Sequence, residues 1–453
     1  MSPLDTIAAI ATPVGEAGLA VIRISGADAL AVADRCFEPG GGRNVAPGQA
    51  ATHTIQYGHV IASGRRVDEV LVAVMRAPRT FTMEDTVEIT CHGGMLPTRL
   101  VLEAVLAAGA RLAEPGEFTR RAFMNGRLDL AQAEAVAEVI HARTELALEA
   151  ANEQLEGRLS RRIEELREDM MRILAHVEAH IDFPDEDIAP DTLEQLLDRL
   201  RAGVAFMTEL LARAREGQIL RQGVRAAIVG RPNAGKSSLL NQLLGHDRAI
   251  VSTIAGTTRD TIEETANIRG IPVVFMDTAG LRETGDEIEQ EGIRRSHAAL
   301  RRAELILHVL DHTEPLTAED RRYLAEYAGQ RRIVIRNKTD LPGRLELDEP
   351  TVAISCSTND GIETLKDRIK QLVWSGEIRA ENLQLMVNAR HRDALRRAQE
   401  ATQQTITALA DGLTLELAAM DLRIAVNAVG EIVGKTTTED LLDRVFSQFC
   451  IGK

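Results

Sequence analysis

The chain has 453 residues, room for about three domains, and its shares of 44% apolar and 27% charged residues are those of a folded protein. A net charge of −15 excludes non-specific coating of nucleic acid, though not an RNA contact through one local basic face. Four scattered cysteines (Cys36, Cys91, Cys356 and Cys450) with no CxxC spacing exclude a zinc or disulfide framework and suit a reducing cytoplasm, and no apolar run approaches the ~20 residues of a bilayer span.

From the N-terminus, residues 1–118 alternate short apolar runs with turn residues. No basic region leads into an apolar stretch, so no signal peptide is expected. Runs at 17–26, 70–75 and 86–90 predict strands, and 96–108 predicts a helix stopped by Gly109. Together they describe a small α+β domain. Arg23 and Glu88 interrupt two of the strands at positions where alternation turns a side chain outward, and by pattern they read as a solvated face.

Over 119–218 the period becomes helical. Leu155, Leu159, Ile163, Leu166, Met170, Ile173 and Val177 predict one long amphipathic helix. Leu193, Leu197, Leu200, Val204, Met207 and Leu211 predict a second, ending near Gly217. Neither can bury its stripe alone. Partners recur only at 388–410, 414–433 and 438–449, the last with Thr436 and Glu439 spaced as a capping box. The economical reading is a discontinuous all-α domain, 119–218 plus 379–453, interrupted by an inserted domain at 219–378. The basic clusters Arg158-Leu159-Ser160-Arg161-Arg162 and Arg390-His391-Arg392 are either RNA contacts or solvated helix faces.

The insert alternates strand and helix patterns, as an α/β P-loop domain does. Gly230-Arg-Pro-Asn233-Ala234-Gly235-Lys236-Ser237-Ser238 stands between the apolar run 226–229 and a helical segment from Leu239, the context of a phosphate loop. Its glycines let backbone N–H groups approach phosphate, Lys236 adds a cation, and the Ser237 hydroxyl suits Mg²⁺. Ser252, Thr253, Ile254, Ala255, Gly256, Thr257 and Thr258 form the following loop, with Thr258 as a second Mg²⁺ hydroxyl. Asp277-Thr278-Ala279-Gly280 closes a strand, its carboxylate reaching Mg²⁺ through water and the Gly280 N–H reaching the γ-phosphate. Asn337-Lys338-Thr339-Asp340 ends another, and Asp340 accepts from the N–H groups of guanine where adenine offers none. Ser355, Cys356 and Ser357 suit the loop that touches the base oxygen. In this order these segments specify GTP rather than ATP. The position where Ras-type sites place a water-orienting Gln is Leu281, so hydrolysis needs another residue.

Beyond the GTPase set, Pro115-Gly116-Glu117-Phe118-Thr119 with Arg121-Ala122-Phe123, Asp129-Leu130-Ala131-Gln132-Ala133-Glu134, Ile181-Asp182-Phe183-Pro184 and the terminal Phe449-Cys450-Ile451-Gly452-Lys453 resemble the MnmE (TrmE) family of tRNA-modifying GTPases, end to end. The resemblance implies homodimers that join a flavin-dependent partner, MnmG (GidA), in a heterotetramer. It implies an aminomethyl or carboxymethylaminomethyl group placed on the wobble uridine of certain tRNAs, with a one-carbon unit from tetrahydrofolate in its 5-formyl or methylene form. It makes 1–118 a folate-binding and dimerisation domain similar to folate-dependent aminomethyltransferases, with Arg23, Glu88, Arg127 and Lys453 as folate contacts. It makes Asn233, Ser252, Ile254 and Thr257 ligands of K⁺, which would promote dimerisation of the GTPase domains and supply charge to the transition state. Glu289 matches the catalytic glutamate that orients water, the role Leu281 cannot fill. Cys450 stays open between an accessible nucleophile or acid and a small plug where the tail folds back. A GTP-controlled switch without one-carbon chemistry is the rival, and a basic RNA-binding module after 379, which it would need, is not evident.

Overall fold

The computed structural model describes residues 5–182, 190–245, 264–276, 302–374 and 385–453. Near the N-terminus, β-branched residues at alternate positions build a seven-stranded sheet from β1 (Ile7–Ile10), β2 (Leu19–Ser25), β3 (Phe37–Pro39), β4 (Thr54–Ala62), β5 (Arg65–Met75), β6 (Thr86–His92) and β7 (Arg111–Leu112). The strand order is β3-β4-β5-β6-β2-β1-β7. Ile22, Ile24, Val72, Val74, Val87 and Ile89 turn to one face and are fully buried beneath α1 (Ala29–Cys36) and α2 (Met95–Ala107). The other face carries Ile55, Tyr57, Leu71 and Leu19, all exposed. Register puts Arg23 opposite Glu88 on that second face, in a row with Ala73 and Ile55.

A short helix α3 (Glu117–Met124) follows, then α4 (Leu130–His141), α5 (Glu145–Leu155), α6 (Arg158–Asp182) and α7 (Pro190–Gln222). The single helix expected from Leu155 onward is two. Gly157 adopts φ +77°, a left-handed turn that an L side chain resists, so Leu155 ends α5 and the stripe from Leu159 starts α6. The helix expected to end near Gly217 continues to Gln222.

The chain then enters a second sheet of six strands, β8 (Val224–Val229), β9 (Glu264–Ile268), β10 (Ile271–Phe275), β11 (Leu305–Asp311), β12 (Arg332–Asn337) and β13 (Val352–Ala353). The order is β13-β12-β11-β8-β10-β9, and every pairing is parallel except the β9–β10 hairpin. Continuous burial along β10 and β11 explains their unbroken apolar runs, since helices α8 (Lys236–Leu244), α9 (Ala318–Glu326) and α10 (Ile362–Val373) accompany the sheet.

Three further helices, α11 (Ala389–Ala410), α12 (Leu415–Val433) and α13 (Glu439–Phe446), rejoin the first helical group. Leu159, Ile163, Met170 and Val177 of α6 share one core with Leu200 and Met207 of α7, Leu395 of α11 and Leu422 and Val429 of α12. The capping expectation is corrected here. Thr438, not Thr436, caps α13 by accepting from Leu441 N–H, because the Thr436 hydroxyl donates to Asn427 O at 2.6 Å.

Charges at the junction correct another expectation. Arg390 and His391 are neither solvated nor open to RNA. Glu134 of α4 accepts from Arg390 Nε at 2.8 Å, Asn388 Nδ2 at 2.9 Å and His391 Nε2 at 2.8 Å, and His391 is wholly buried. Burial pushes the His391 imidazole down to about 4, so it is neutral at pH 7 while Arg390 balances Glu134. Arg158 pairs with Glu153, and Arg162 pairs with Glu165 while its guanidinium stacks on Phe206.

Removing Glu134 strands the Arg390 charge and the His391 imidazole in a buried site. Glu134→Ala is therefore expected to cost about 3–5 kcal/mol, read as a lowered helical-domain transition in calorimetry; a loss under about 1 kcal/mol would mean that the cluster is incidental. His308 on β11 gives a pH prediction. It is fully buried, neither ring nitrogen has a partner, and burial, with Arg332 nearby, moves it from 6.5 to about 4. Between those values the unfolded chain binds the extra proton, so stability should rise with pH from about 4 to 6.5 and be complete above. His308→Phe, which keeps the edge contact with Tyr323, should flatten that slope and be neutral or stabilising at pH 7. Superimposable pH–stability curves for the two proteins would refute this.

Candidate functional site

The loop after β8 is shaped by two glycines. Gly230 has φ +145° and a Cβ there would lie 2.2 Å from Val309 O; Gly235 has φ +97° and its Cβ would lie 2.0 Å from Asn337 Nδ2. No side chain fits at either position, which is why the backbone can curl into a cradle at the start of α8. Lys236 turns back into that cradle, with Nζ donating to Gly230 O and Arg231 O at 2.8 Å each. Burial lowers its pKa, so an anion in the cradle would regain charge stabilisation that two neutral carbonyls supply only in part. Asn233 has φ +60° and is exposed, Ala234 is buried, and Ser237 and Ser238 sit exposed on the first turn of α8.

The segments expected to read guanine meet this loop directly. Asn337 Nδ2 donates to Ala234 O at 2.9 Å while its Oδ1 accepts from Cys356 N–H at 3.2 Å, so one buried amide ties the phosphate loop to the base loop. Gln242 of α8 adds a 2.9 Å bond to Cys356 O. Asp340 Oδ1 accepts from Ser355 Oγ at 2.6 Å, and Ser355 Oγ lies 2.9 Å from Ser357 Oγ. These bonds hold the exposed Asp340 carboxyl below the usual carboxylate range, ionised and aimed as a base acceptor must be. Lys338 is also left-handed at φ +65°, and its Nζ pairs with Asp311 at 2.5 Å. Gln242 and Asp311 carry no sequence signal of these contacts, which only the tertiary fold brings about. Ser252, Thr253, Ile254, Ala255, Gly256, Thr257, Thr258, Asp277, Thr278, Ala279, Gly280, Leu281 and Glu289 lie outside the described residues.

A second group forms at the other end of the molecule. Arg23 Nε donates to Glu88 Oε1 at 2.8 Å, and both side chains are largely covered, 17% and 29% exposed, so the solvated-face reading fails. The cover is the C-terminal tail. Arg23 Nη1 reaches Gly452 O at 3.4 Å, Phe118 N–H donates to Lys453 O at 3.2 Å and Gly116 N–H to Cys450 O at 3.4 Å. Gly452 has φ +95° and a Cβ there would lie 2.4 Å from Ile10 O, so the tail runs tight against β1. Burial and the Arg23 charge lower the Lys453 pKa. Lys453 and Arg23 thus both lie near the Glu88 carboxylate.

Arg127 bonds to Thr80 O and stacks over Phe81, Arg23 lies over Phe118, and Phe81 packs against the cluster of Ile7, Ala9, Ala113 and Phe118. The structure therefore brings three of the four expected folate contacts to one place through the tail, with Arg127 beside Phe81 at the edge of that cluster. Cys450 is exposed. Glu117 and Arg121 of the signature turn out structural: Glu117 is 3% exposed and held by Arg111 at 2.5 Å and Arg121 at 3.0 Å. Among the described residues no three His, Cys, Asp or Glu side chains gather as a metal site, and no helix is long and apolar enough to cross a membrane.

Known proteins resemble the chain along its whole length. A family model described as the GTP-binding protein TrmE N-terminus matches residues 6–127, and one described as the MnmE helical domain matches 130–450. The tRNA modification GTPase MnmE of Geobacillus kaustophilus is 48% identical over 467 aligned residues, covering 100% of both chains. The protein of that name from Latilactobacillus sakei is 43% identical over 463, covering 100% of this chain and 99% of its own. The solved Era of Aquifex aeolicus bound to GDP·AlF4⁻ is 28% identical, covering 39% of this chain and 66% of its own, with a TM-score of 0.27. With two family models covering residues 6–127 and 130–450 and similarity running the full length, the chain belongs to the MnmE family of tRNA modification GTPases.

Proposed function

We propose that the chain hydrolyses GTP and uses that cycle, with a flavin-dependent MnmG (GidA) partner, to place an aminomethyl or carboxymethylaminomethyl group on the wobble uridine of tRNA. The observation that carries the GTPase half is the Lys236 cradle joined through Asn337 to the base loop. Bound phosphate would take Lys236 from the two carbonyls that hold it, and Asp340 would read guanine. Ser237 and Thr258 would hold Mg²⁺, with Asp277 reaching it through water; the exposed Ser237 hydroxyl at the helix start fits that role. Asn233, whose left-handed backbone brings it to the loop surface, would join Ser252, Ile254 and Thr257 around K⁺. Such a cation supplies positive charge to the transition state. Glu289 would orient the attacking water.

The modification half rests on the tail. Arg23, Glu88 and Lys453, with Arg127 beside Phe81, would hold a tetrahydrofolate, whose glutamate tail suits the Arg23, Arg127 and Lys453 cations and whose pteridine N–H groups suit Glu88. Cys450 stands exposed beside this group for use as nucleophile or acid. The exposed apolar face of Ile55, Tyr57, Leu71 and Leu19 adjoins the Arg23–Glu88 row and supports a homodimer formed there. The heterotetramer with MnmG rests on family membership.

The deciding experiment is nucleoside analysis of tRNA after incubation with MnmG, formyl- or methylene-tetrahydrofolate, flavin and GTP, with this chain or its Arg23→Ala form. The wild type should yield modified wobble uridine, and Arg23→Ala should lose most of it while keeping GTP turnover; equal yields would remove Arg23 from the folate site. GTP turnover in K⁺ should exceed that in Na⁺ by about 10-fold or more, a barrier change of ~1.4 kcal/mol. Equal, slow rates in the two salts would sink the potassium assignment.

A further inference from the structure

Helix α5 stands between the GTPase sheet and the C-terminal tail and touches each side with different residues. On the sheet side, Arg143 just before α5 donates from Nη1 to Thr265 Oγ1 at 2.7 Å, and Thr265 is 2% exposed on β9. At the β9–β10 turn a Cβ on Gly270 would lie 3.3 Å from Leu146 Cδ2, so the turn rests on α5 with no room to spare. Ala147 and Ala150 share a core with Ile268, Val273 and Phe275 of that hairpin. The hairpin is the stretch of chain that joins the Ser252–Thr258 loop to the Asp277–Gly280 loop.

On the other side, α5 is bonded to α4 twice. Gln154 Nε2 donates to Ala131 O at 2.8 Å, and Gln132 Nε2 donates to Leu155 O at 2.9 Å. At the start of α4, Leu130 and Ala133 pack with Phe446 and Phe449. Phe449 is the residue before Cys450, and from there the tail runs to Gly452 and Lys453 over Arg23. Short contacts therefore run from the β9–β10 hairpin to the tail that covers the second site.

We propose that Arg143 is a positioning residue that couples nucleotide state to ligand affinity at the tail-covered site, an inference that rests on the GTP and folate reading above. Its bond to Thr265 fixes α5 on β9. A shift of the hairpin then moves α5 and α4 together, because the amide pair Gln132 and Gln154 leaves them little freedom to slide, and the aromatic cluster carries the shift to the tail. The packing of Ala147 and Ala150 alone would let α5 slip, since small side chains interlock poorly. The directional bond supplies the register. Linkage requires the effect to be reciprocal: whatever GTP does to folate affinity, folate does to GTP affinity by the same factor.

The test uses the full chain, 5-formyltetrahydrofolate as the probe, and either GDP or a non-hydrolysable GTP analogue in K⁺. In the wild type the two nucleotides should give probe dissociation constants that differ by about five-fold or more. Arg143→Ala, and independently the near-isosteric Thr265→Val, should bring that ratio toward one while the affinity of each ligand alone and the melting temperature stay near wild type. Arg143→Lys, which retains a donor, should restore part of the ratio. A merely structural arginine would instead change stability or both affinities and leave the ratio. An unchanged ratio in both variants overturns the proposal, as does a wild-type ratio of one with both ligands binding, and in that second case the function proposed above still stands. Failure of the wild type to bind the probe at all would overturn that function along with the coupling.

Discussion

The architecture depends on closing a gap that the sequence opens. The chain leaves its helical layer at the end of α7 and rejoins it after residue 385, with a six-stranded, mostly parallel sheet between. Bringing such distant segments together costs loop-closure entropy, and the first group's helical stripes stay unburied until the second arrives. Apolar packing of α6, α7, α11 and α12 provides most of the attraction. Packing alone does not choose a register, since stripes of Leu, Ala and Val tolerate a slip of one turn. Glu134 makes the choice. Its four-point contact with Arg390, Asn388 and His391 bridges positions 254 and 256 residues apart and exists in one alignment only. Buried ion pairs contribute little net stability against an apolar alternative, and fixing register is the role in which they are best attested.

This bears on how the sequence reads. The phosphate loop, the guanine segments and the split helical domain were legible because each follows from local rules: glycines where backbone must approach phosphate, an Asp where guanine donates, a 3.6-residue period where a stripe must be buried. What was not legible involves two distant segments. Arg23 and Glu88 each looked like an outward charge, and nothing local says that they face one another across β2 and β6 beneath the last residues of the chain. Arg390 looked like a basic surface for the same reason, because its partner lies in α4. The misplaced capping box is a smaller case. Thr436 and Thr438 are equivalent in propensity, and the difference is a tertiary bond from Thr436 to Asn427.

A family signature is not the same thing as a reactive group. Glu117 and Arg121 belong to the strongest N-terminal motif, yet their charges are spent on each other and on Asp5, Glu84 and Arg111. That network fixes α3 against the sheet and orients Gly116 and Phe118, whose N–H groups receive the tail carbonyls. Asp129 and Gln132 of the next motif form a reciprocal cap at the start of α4, and Gln132 also bonds to the end of α5. Glu134 in the same motif sets the register of the helical domain. These residues work by holding backbone in place rather than by meeting a ligand.

Charge separates the two sites further. Around the phosphate loop the cation is prepared for an anion: Lys236 is drawn from water into a ring of carbonyls that partly satisfies it, so binding phosphate improves an existing environment. At the tail, Arg23 already has a carboxylate partner in Glu88, and Lys453 arrives as a second cation whose pKa is depressed both by burial and by that neighbour. An acidic ligand there would relieve the repulsion between Lys453 and Arg23 and so favour the docked tail. The ligand and the tail would then stabilise one another. Because the tail continues from α13 and packs on the start of α4, any element that moves α4 acts on that mutual stabilisation.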